Sequence, residues 1–144
     1  MDRLPFASPA WVALMHGTLE ELVAADRDAL RDVDFSMCEI ISRVPPDDGA
    51  VVLGARFRDG GVAFFEDAEA GADYVVRGDY EAMLPGARLV HRTATPDDMA
   101  AQAARRREMA AAGRLSSSGD MSRASKPLLR VLARMHDRMA ERTA

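Results

Sequence analysis

Between Ala50 and Arg58, Val51, Leu53, Ala55 and Phe57 fall on one face of an extended segment, with Gly54, Arg56 and Arg58 on the other. A strand of that kind buries one side and shows the other to water. The chain must therefore supply a covering layer for the apolar side alone. Asp59-Gly60-Gly61 predicts a hairpin turn, with Val62 to Glu66 as the return strand. Upstream, Asp34 to Val44 is rich in β-branched and aromatic residues and ends at the turn cluster Pro45-Pro46-Asp47-Asp48-Gly49, which predicts another strand. Ala72 to Arg77 reads as a fourth, and the four are expected to form an antiparallel meander. Arg114 to Asp120 is either a short fifth strand or a loop.

Helices are the natural cover. Ser8-Pro9 is a helix start, a capping hydroxyl followed by a proline whose missing amide is not needed there. Trp11, Leu14, Met15, Thr18, Leu19, Leu22, Ala25, Ala29 and Leu30 then recur at steps of three and four, predicting an amphipathic helix to about Asp32. Gly17 inside it costs roughly 1 kcal/mol relative to Ala, so a close packing contact is expected there. Asp79 is placed to cap a short helix, YEAML, that stops at Pro85-Gly86. Thr95-Pro96-Asp97-Asp98 opens another, running to Gly113, with high helix propensity but few large apolar groups, hence a surface element. Ser125 and Pro127 start a last helix with Leu128, Leu132, Met135 and Met139 as one stripe, beside which lie Leu129 and His136.

The expected architecture is α+β: a four- to five-stranded, largely antiparallel mixed sheet with the helices packed on one face. A chain of 144 residues, 48% apolar, suits one domain over residues 1–144. Cys38 is the one cysteine, which excludes a disulfide framework, and no His/Cys cluster of structural-zinc spacing accompanies it. No apolar run approaches the ~20 residues of a bilayer span, and MDRLPFASPAW is not a signal peptide, so a soluble cytoplasmic protein is expected. A net charge of -4 argues against nucleic acid as a partner. All cations but Lys126 are arginine, which together with abundant Ala suggests a GC-rich bacterial source. Residues 1–100 carry nine arginines against 19 acids, and residues 101–144 carry ten cations against four. The basic end should pack across the acidic part; an anionic ligand head group or a transient membrane contact is the alternative use for it, and a homodimer is left open.

This succession resembles the sterol carrier protein type-two family. The resemblance rests on order: an amphipathic helix, three strands with a DG turn, a strand ending in ADYVVRGDYEAML, and then GRLSSSGDMSRASKPLLRVL, similar to the family's small glycine-bracketed strand and closing helix. It covers nearly the whole chain and implies an apolar tunnel between sheet and helices that holds a sterol, a fatty acid or an acyl chain, with no cofactor. The residues placed to line it are Trp11, Met15, Met37, Ile41, Phe57, Phe64, Met83, Leu84, Leu128, Leu132 and Met135. Nine methionines suit an adaptable apolar site, although Met also fills cores. Trp11, Phe57 and Phe64 belong to the core first, as aromatic residues on amphipathic elements do. The chain departs from the family in a serine-rich fifth strand and a longer TPDDMAAQAARRREM helix.

No catalytic pair is visible. Glu39 shares a strand face with Phe35, Met37 and Ile41, where burial would raise its pKa and suit it to proton transfer. The opposite parity, Ser36, Cys38, Ile40 and Val44, is equally apolar, and an outward or edge Glu39 is the expectation. His136, at the border of the last stripe, is expected to be a satisfied boundary residue. His16 and His91 show no partner spacing for a metal or a triad. The acidic neighbour of Cys38 works against a thiolate, and Ser116-Ser117-Ser118-Gly119 lacks phosphate-loop spacing. A carrier of hydrophobic ligands is favoured over a small cofactor-free isomerase, dehydratase or cyclase acting on a polycyclic or polyketide-like substrate, and over a structural subunit of a larger complex.

Overall fold

The structure, a computed structural model, describes residues 2–67 and 71–144. Its elements run α1 (Pro9–Ala25), β1 (Asp34–Val44), β2 (Gly49–Arg58), β3 (Gly61–Phe65), β4 (Tyr74–Asp79), α2 (Tyr80–Arg88), α3 (Pro96–Ala111), β5 (Leu115–Gly119) and α4 (Lys126–Glu141). The fold is α+β with a five-stranded mixed sheet in the order β3-β2-β1-β4-β5. The segment 114–120 is thus a strand. β1, β2 and β3 form the expected antiparallel hairpins, but β4 runs parallel to β1. The four strands are therefore no meander: after β3 the chain crosses to the far side of β1, because that edge offers β4 a partner whose interior face continues the apolar surface. β5 then pairs antiparallel with β4.

Strand partners share a face, so the register fixes which side chains point inward. Phe35, Met37, Glu39 and Ile41 stand with Phe57, Ala55, Leu53 and Val51 of β2 and with Tyr74, Val76 and Gly78 of β4. Phe35, Ile41, Leu53, Ala55 and Phe57 are all core residues. A bulge between Ile41 and Val44, with Arg43 at φ 58°, turns Val44 back into the same core instead of leaving it on the Cys38 face.

α1 lies against α4 and β3, and α2 against α4, β1 and β4. Leu19, Leu128 and Val131 are sealed between these layers at 2%, 0% and 0% exposure. Each such side chain contributes roughly 1.5–3 kcal/mol by burial. The α1–α4 seam is closed by a buried chain of hydrogen bonds, in which Trp11 Nε1 donates to Thr143 Oγ1 at 3.0 Å and Thr143 Oγ1 to the Met139 carbonyl at 2.6 Å.

Four local expectations are corrected. α1 ends at Ala25, and residues 26–32 continue as hydrogen-bonded turns that still bury Leu30, which is why the helical spacing persists in the sequence. No atom stands within 4 Å of a Cβ built on Gly17, so the close contact expected there does not exist, and nothing in the structure explains that glycine. α2 passes through Pro85-Gly86 to Arg88. Proline removes only its own amide from the ladder, and Gly86 lets Gln102 of α3 approach to 2.9 Å of where a Cβ would stand. Glu39 points inward, since it shares its face with Phe35, Leu53 and Ile41; the outward placement does not hold. The predicted caps are present: Ser8, Asp79, Thr95 with Asp98 as a full capping box, and Ser125.

Candidate functional site

The layer between sheet and helices is open where α3 covers β5. α3 buries none of its residues, as its alanine- and arginine-rich sequence dictates. Beneath it lies a cleft of about 230 Å³, lined by Val76, Leu115, Ser116 and Ser117 of the sheet and by Arg106, Arg107 and Ala110 of the helix. Val76 is the β4 partner of Glu39, and Leu53 is its β2 partner. Glu39 therefore stands between two apolar neighbours on the inner face, one strand away from the cleft.

Glu39 is half-buried, and among the described residues its carboxylate makes no hydrogen bond or ion pair. Burial raises its pKa above the usual carboxylate value, and the positive charge of Arg106 works against that rise. Sequence reasoning, which reads this helix only as a surface element, did not single out Arg106. The signal is present all the same: counted from the Thr95 cap, Met99, Gln102, Arg106 and Met109 recur at steps of three and four.

Asp79 ties this end together. It caps α2 by accepting from the Ala82 amide at 2.9 Å and takes a forked pair from Arg114 at 2.8 and 3.0 Å, which joins β4 and α2 to the start of β5. The hydrogen bond from Arg114 holds its carboxyl below the ordinary value, with burial opposing and the Ala82 amide assisting. The basic C-terminal part reaches the acidic part elsewhere too, through Arg123–Asp73, Arg134–Asp26 and Arg138–Glu21.

The eleven residues expected to meet a ligand divide into two sets. Trp11, Met15, Ile41, Phe57 and Leu128 are in the closed core. Met37, Phe64, Met83, Leu84, Leu132 and Met135 are partly buried and packed against that core. None of the eleven is among the residues lining the cleft under α3. An elongated tunnel is not displayed.

Other reactive groups are accounted for. Cys38 lies on the opposite face of the sheet, and burial pushes its thiol up, Arg77 pulling the other way and Glu39 adding to the rise. His16 stacks on Phe64 at 3.9 Å. The fold does bring His91 onto His136, stacked at 4.1 Å beside Asp137, with one ligand atom from each of the three within 4.8 Å of the others. Some of their polar atoms are engaged: His136 Nε2 donates to the Leu89 carbonyl at 2.8 Å, and Asp137 accepts from the His91 and Arg92 backbone amides at 2.8 and 3.1 Å. The group is a clasp holding the turn after α2 to α4. Burial pushes His136 below its ordinary pKa, while its bond to Leu89 opposes the shift. Ser116 and Ser118 are exposed on the edge strand.

No protein-family model and no curated protein sequence matches the chain. Solved structures do. The crystal structure of a sterol carrier protein 2 matches with a TM-score of 0.51 at 18% identity, over 96% of this chain and 99% of that one. A conserved hypothetical protein of Thermus thermophilus matches with a TM-score of 0.49 at 18% identity, over 97% and 93%. The ubiquinone synthesis protein UbiJ-SCP2 gives 0.47 at 16%, over 99% and 100%. The helix order, the parallel β1–β4 pair and the first of these likenesses agree: this chain has the sterol carrier protein 2 fold.

Proposed function

We propose that the whole chain, residues 1–144, works as one unit that binds and carries a hydrophobic ligand, a sterol, a fatty acid or another acyl lipid, between α3 and the sheet. The observation that carries this reading is the unsealed end of the interlayer, where α3 buries nothing and leaves a cleft above an inward-facing strand surface. In this reading the partly buried Met37, Phe64, Met83, Leu84, Leu132 and Met135, which pack against the core, supply adaptable apolar surface once the layers part, and Trp11, Met15, Ile41, Phe57 and Leu128 belong to the core behind them. At about 230 Å³ the cleft is smaller than the ~300–1,000 Å³ of typical small-molecule sites, so α3 must stand off to admit a whole ligand. Burial at ~25 cal/mol per Å² then provides most of the affinity. The proposal involves no cofactor and sets the carrier in a bacterial cytoplasm, in keeping with an unpaired Cys38. No helix among the described residues is long and apolar enough to cross a membrane. The fold likeness supports neither a membrane contact nor a homodimer, and neither is part of the proposal.

Native mass spectrometry of the purified protein should find a co-purifying lipid, and fluorescent fatty-acid and sterol analogues should bind saturably. Binding of neither analogue, with no lipid retained, overturns the reading. The inward Glu39 favours one second reading, an isomerase, dehydratase or cyclase using that carboxyl as proton carrier. Glu39→Gln separates the two: a carrier keeps its affinity, because shape and a hydrogen-bond donor remain, whereas an enzyme loses roughly two to four orders of magnitude in turnover while still binding.

A further inference from the structure

We infer that His91, His136 and Asp137 form a binding site for a divalent first-row transition-metal ion, of which Zn²⁺ suits the donors best, where the turn after α2 meets α4. The inference is independent of the carrier reading, since none of the three residues lines the cleft under α3.

Two imidazoles and a carboxylate reach this point from different parts of the chain, His91 from the turn after α2, His136 and Asp137 from α4. One ligand atom from each lies within 4.8 Å of the other two. Ligand atoms around a tetrahedral zinc stand about 3.3 Å apart, given bonds of about 2.0–2.1 Å, so the group has about 1.5 Å to close at most. His91 supplies that approach. Its ring is exposed, lies on that of His136 with 18° between the planes, and is free to turn about two side-chain bonds. Among the described residues its ring nitrogens make no hydrogen bond or ion pair.

The other two residues are already held as metal ligands are. His136 Nε2 donates to the Leu89 carbonyl, an outer bond that orients the imidazole and leaves the lone pair on its second nitrogen. Asp137 is fixed by the backbone amides of His91 and Arg92, one on each oxygen, and each oxygen keeps a second lone pair. The adjacent positive charge of Arg92 is engaged by Glu141. Two nitrogen donors select against Mg²⁺ and Ca²⁺, which take oxygen, and in favour of zinc and its neighbours. Three protein ligands leave one position to water. The bound ion would fasten to α4 the turn that leads into α3, adding to the hydrogen bonds that already clasp it.

The test titrates the tag-free chain with Zn²⁺ by calorimetry, in wild type, His91→Ala, Asp137→Asn and, as a control, His16→Ala. We expect a single ion per wild-type chain. Loss of even an outer partner costs a metal site roughly 10–100-fold in affinity, so His91→Ala should weaken binding at least tenfold, with a smaller loss in Asp137→Asn and none in His16→Ala. Zn²⁺ should also raise the Tm of wild type but not of His91→Ala. As a readout that needs no variant, proton–nitrogen spectra of the wild-type imidazoles should show His91 and His136 shifting with Zn²⁺ while His16 stays in place. A wild type that binds no Zn²⁺ at micromolar concentrations overturns the site, and so does equal affinity in His91→Ala. Should His91→Ala fail to fold, imidazoles of His91 and His136 that stay in place while Zn²⁺ binds overturn it instead.

Discussion

The two ends of the layer between sheet and helices are built from different material. Under α1 and α4, Leu19, Phe57, Leu128 and Val131 are sealed, and Phe6 meets Trp11 edge-on at 5.1 Å. Under α3, Val76 and Leu115 face arginine and alanine across open space, and no α3 residue is buried. The first end has large branched and aromatic groups on both layers. The second has them on the sheet alone. On the proposed carrier reading, stability and ligand capacity would fall to separate parts of one interlayer, and the second would open without loss of the first.

Substitutions should expose this asymmetry. Leu128→Ala, in the sealed end, is expected to cost about 2–5 kcal/mol and to lower Tm by about 3 °C for each of them, while Leu115→Ala beneath α3 should cost less than about 1.5. Equal losses, measured by denaturant and thermal melts, would break the comparison. Glu39→Gln should instead stabilise the protein at pH 7. The sign follows from its raised pKa: the folded form binds the proton more tightly than the unfolded chain, so wild-type stability is lost as pH rises through the folded value. The gain from glutamine should thus vanish below the ~4.3 of an unfolded glutamate, as paired melts at pH 7 and pH 4 would show.

Asp79→Ala is the opposite titration. With its carboxyl held below the ordinary value, Asp79 contributes stability above the unfolded ~3.9 that is lost as pH falls through the folded value. Losing the α2 cap and the Arg114 fork should cost about 1–2 kcal/mol at pH 7 and less in acid, with faster hydrogen exchange along β5. At the small end, Met99→Gln on α3, where Met99 is 42% exposed, should change stability by no more than about 0.5 kcal/mol in unfolding titrations. A larger loss would mean that α3 is held more firmly than its lack of burial implies.

Local chemistry is well legible in the sequence, and pairing is not. The caps at Ser8, Asp79, Thr95 and Ser125 stand where hydroxyl or carboxylate precedes a helical run, and the β1 bounds coincide with the β-branched segment from Asp34 to Val44. The parallel β1–β4 pair cannot be read there, because strand direction depends on where the crossover after β3 lands. The facing of Glu39 is ambiguous for a definite reason: simple alternation sets Val44 on the opposite face, and only the bulge at Arg43 releases it from that alternation. Val131 lies outside the stripe drawn through Leu128, Leu132, Met135 and Met139, yet it is sealed. That stripe is too narrow for a helix touching both α1 and α2. The sequence also separates His91 from His136, whose meeting depends on the turn after α2 folding back onto α4.

The seam between the first and last helices also sets a clock. Trp11 finds the hydroxyl it donates to 132 positions further along the chain. At the roughly 5–20 residues per second of ribosomal synthesis, α1 emerges about 7–26 s before α4 can meet it. Through that interval Trp11, Met15, Leu19 and Leu22 have no α4 to bury against, and the α1–α4 half of the core cannot close. The sealed end of the interlayer therefore closes only after α4 has been made. Until α4 is made, the apolar face of α1 is open to aggregation and proteolysis.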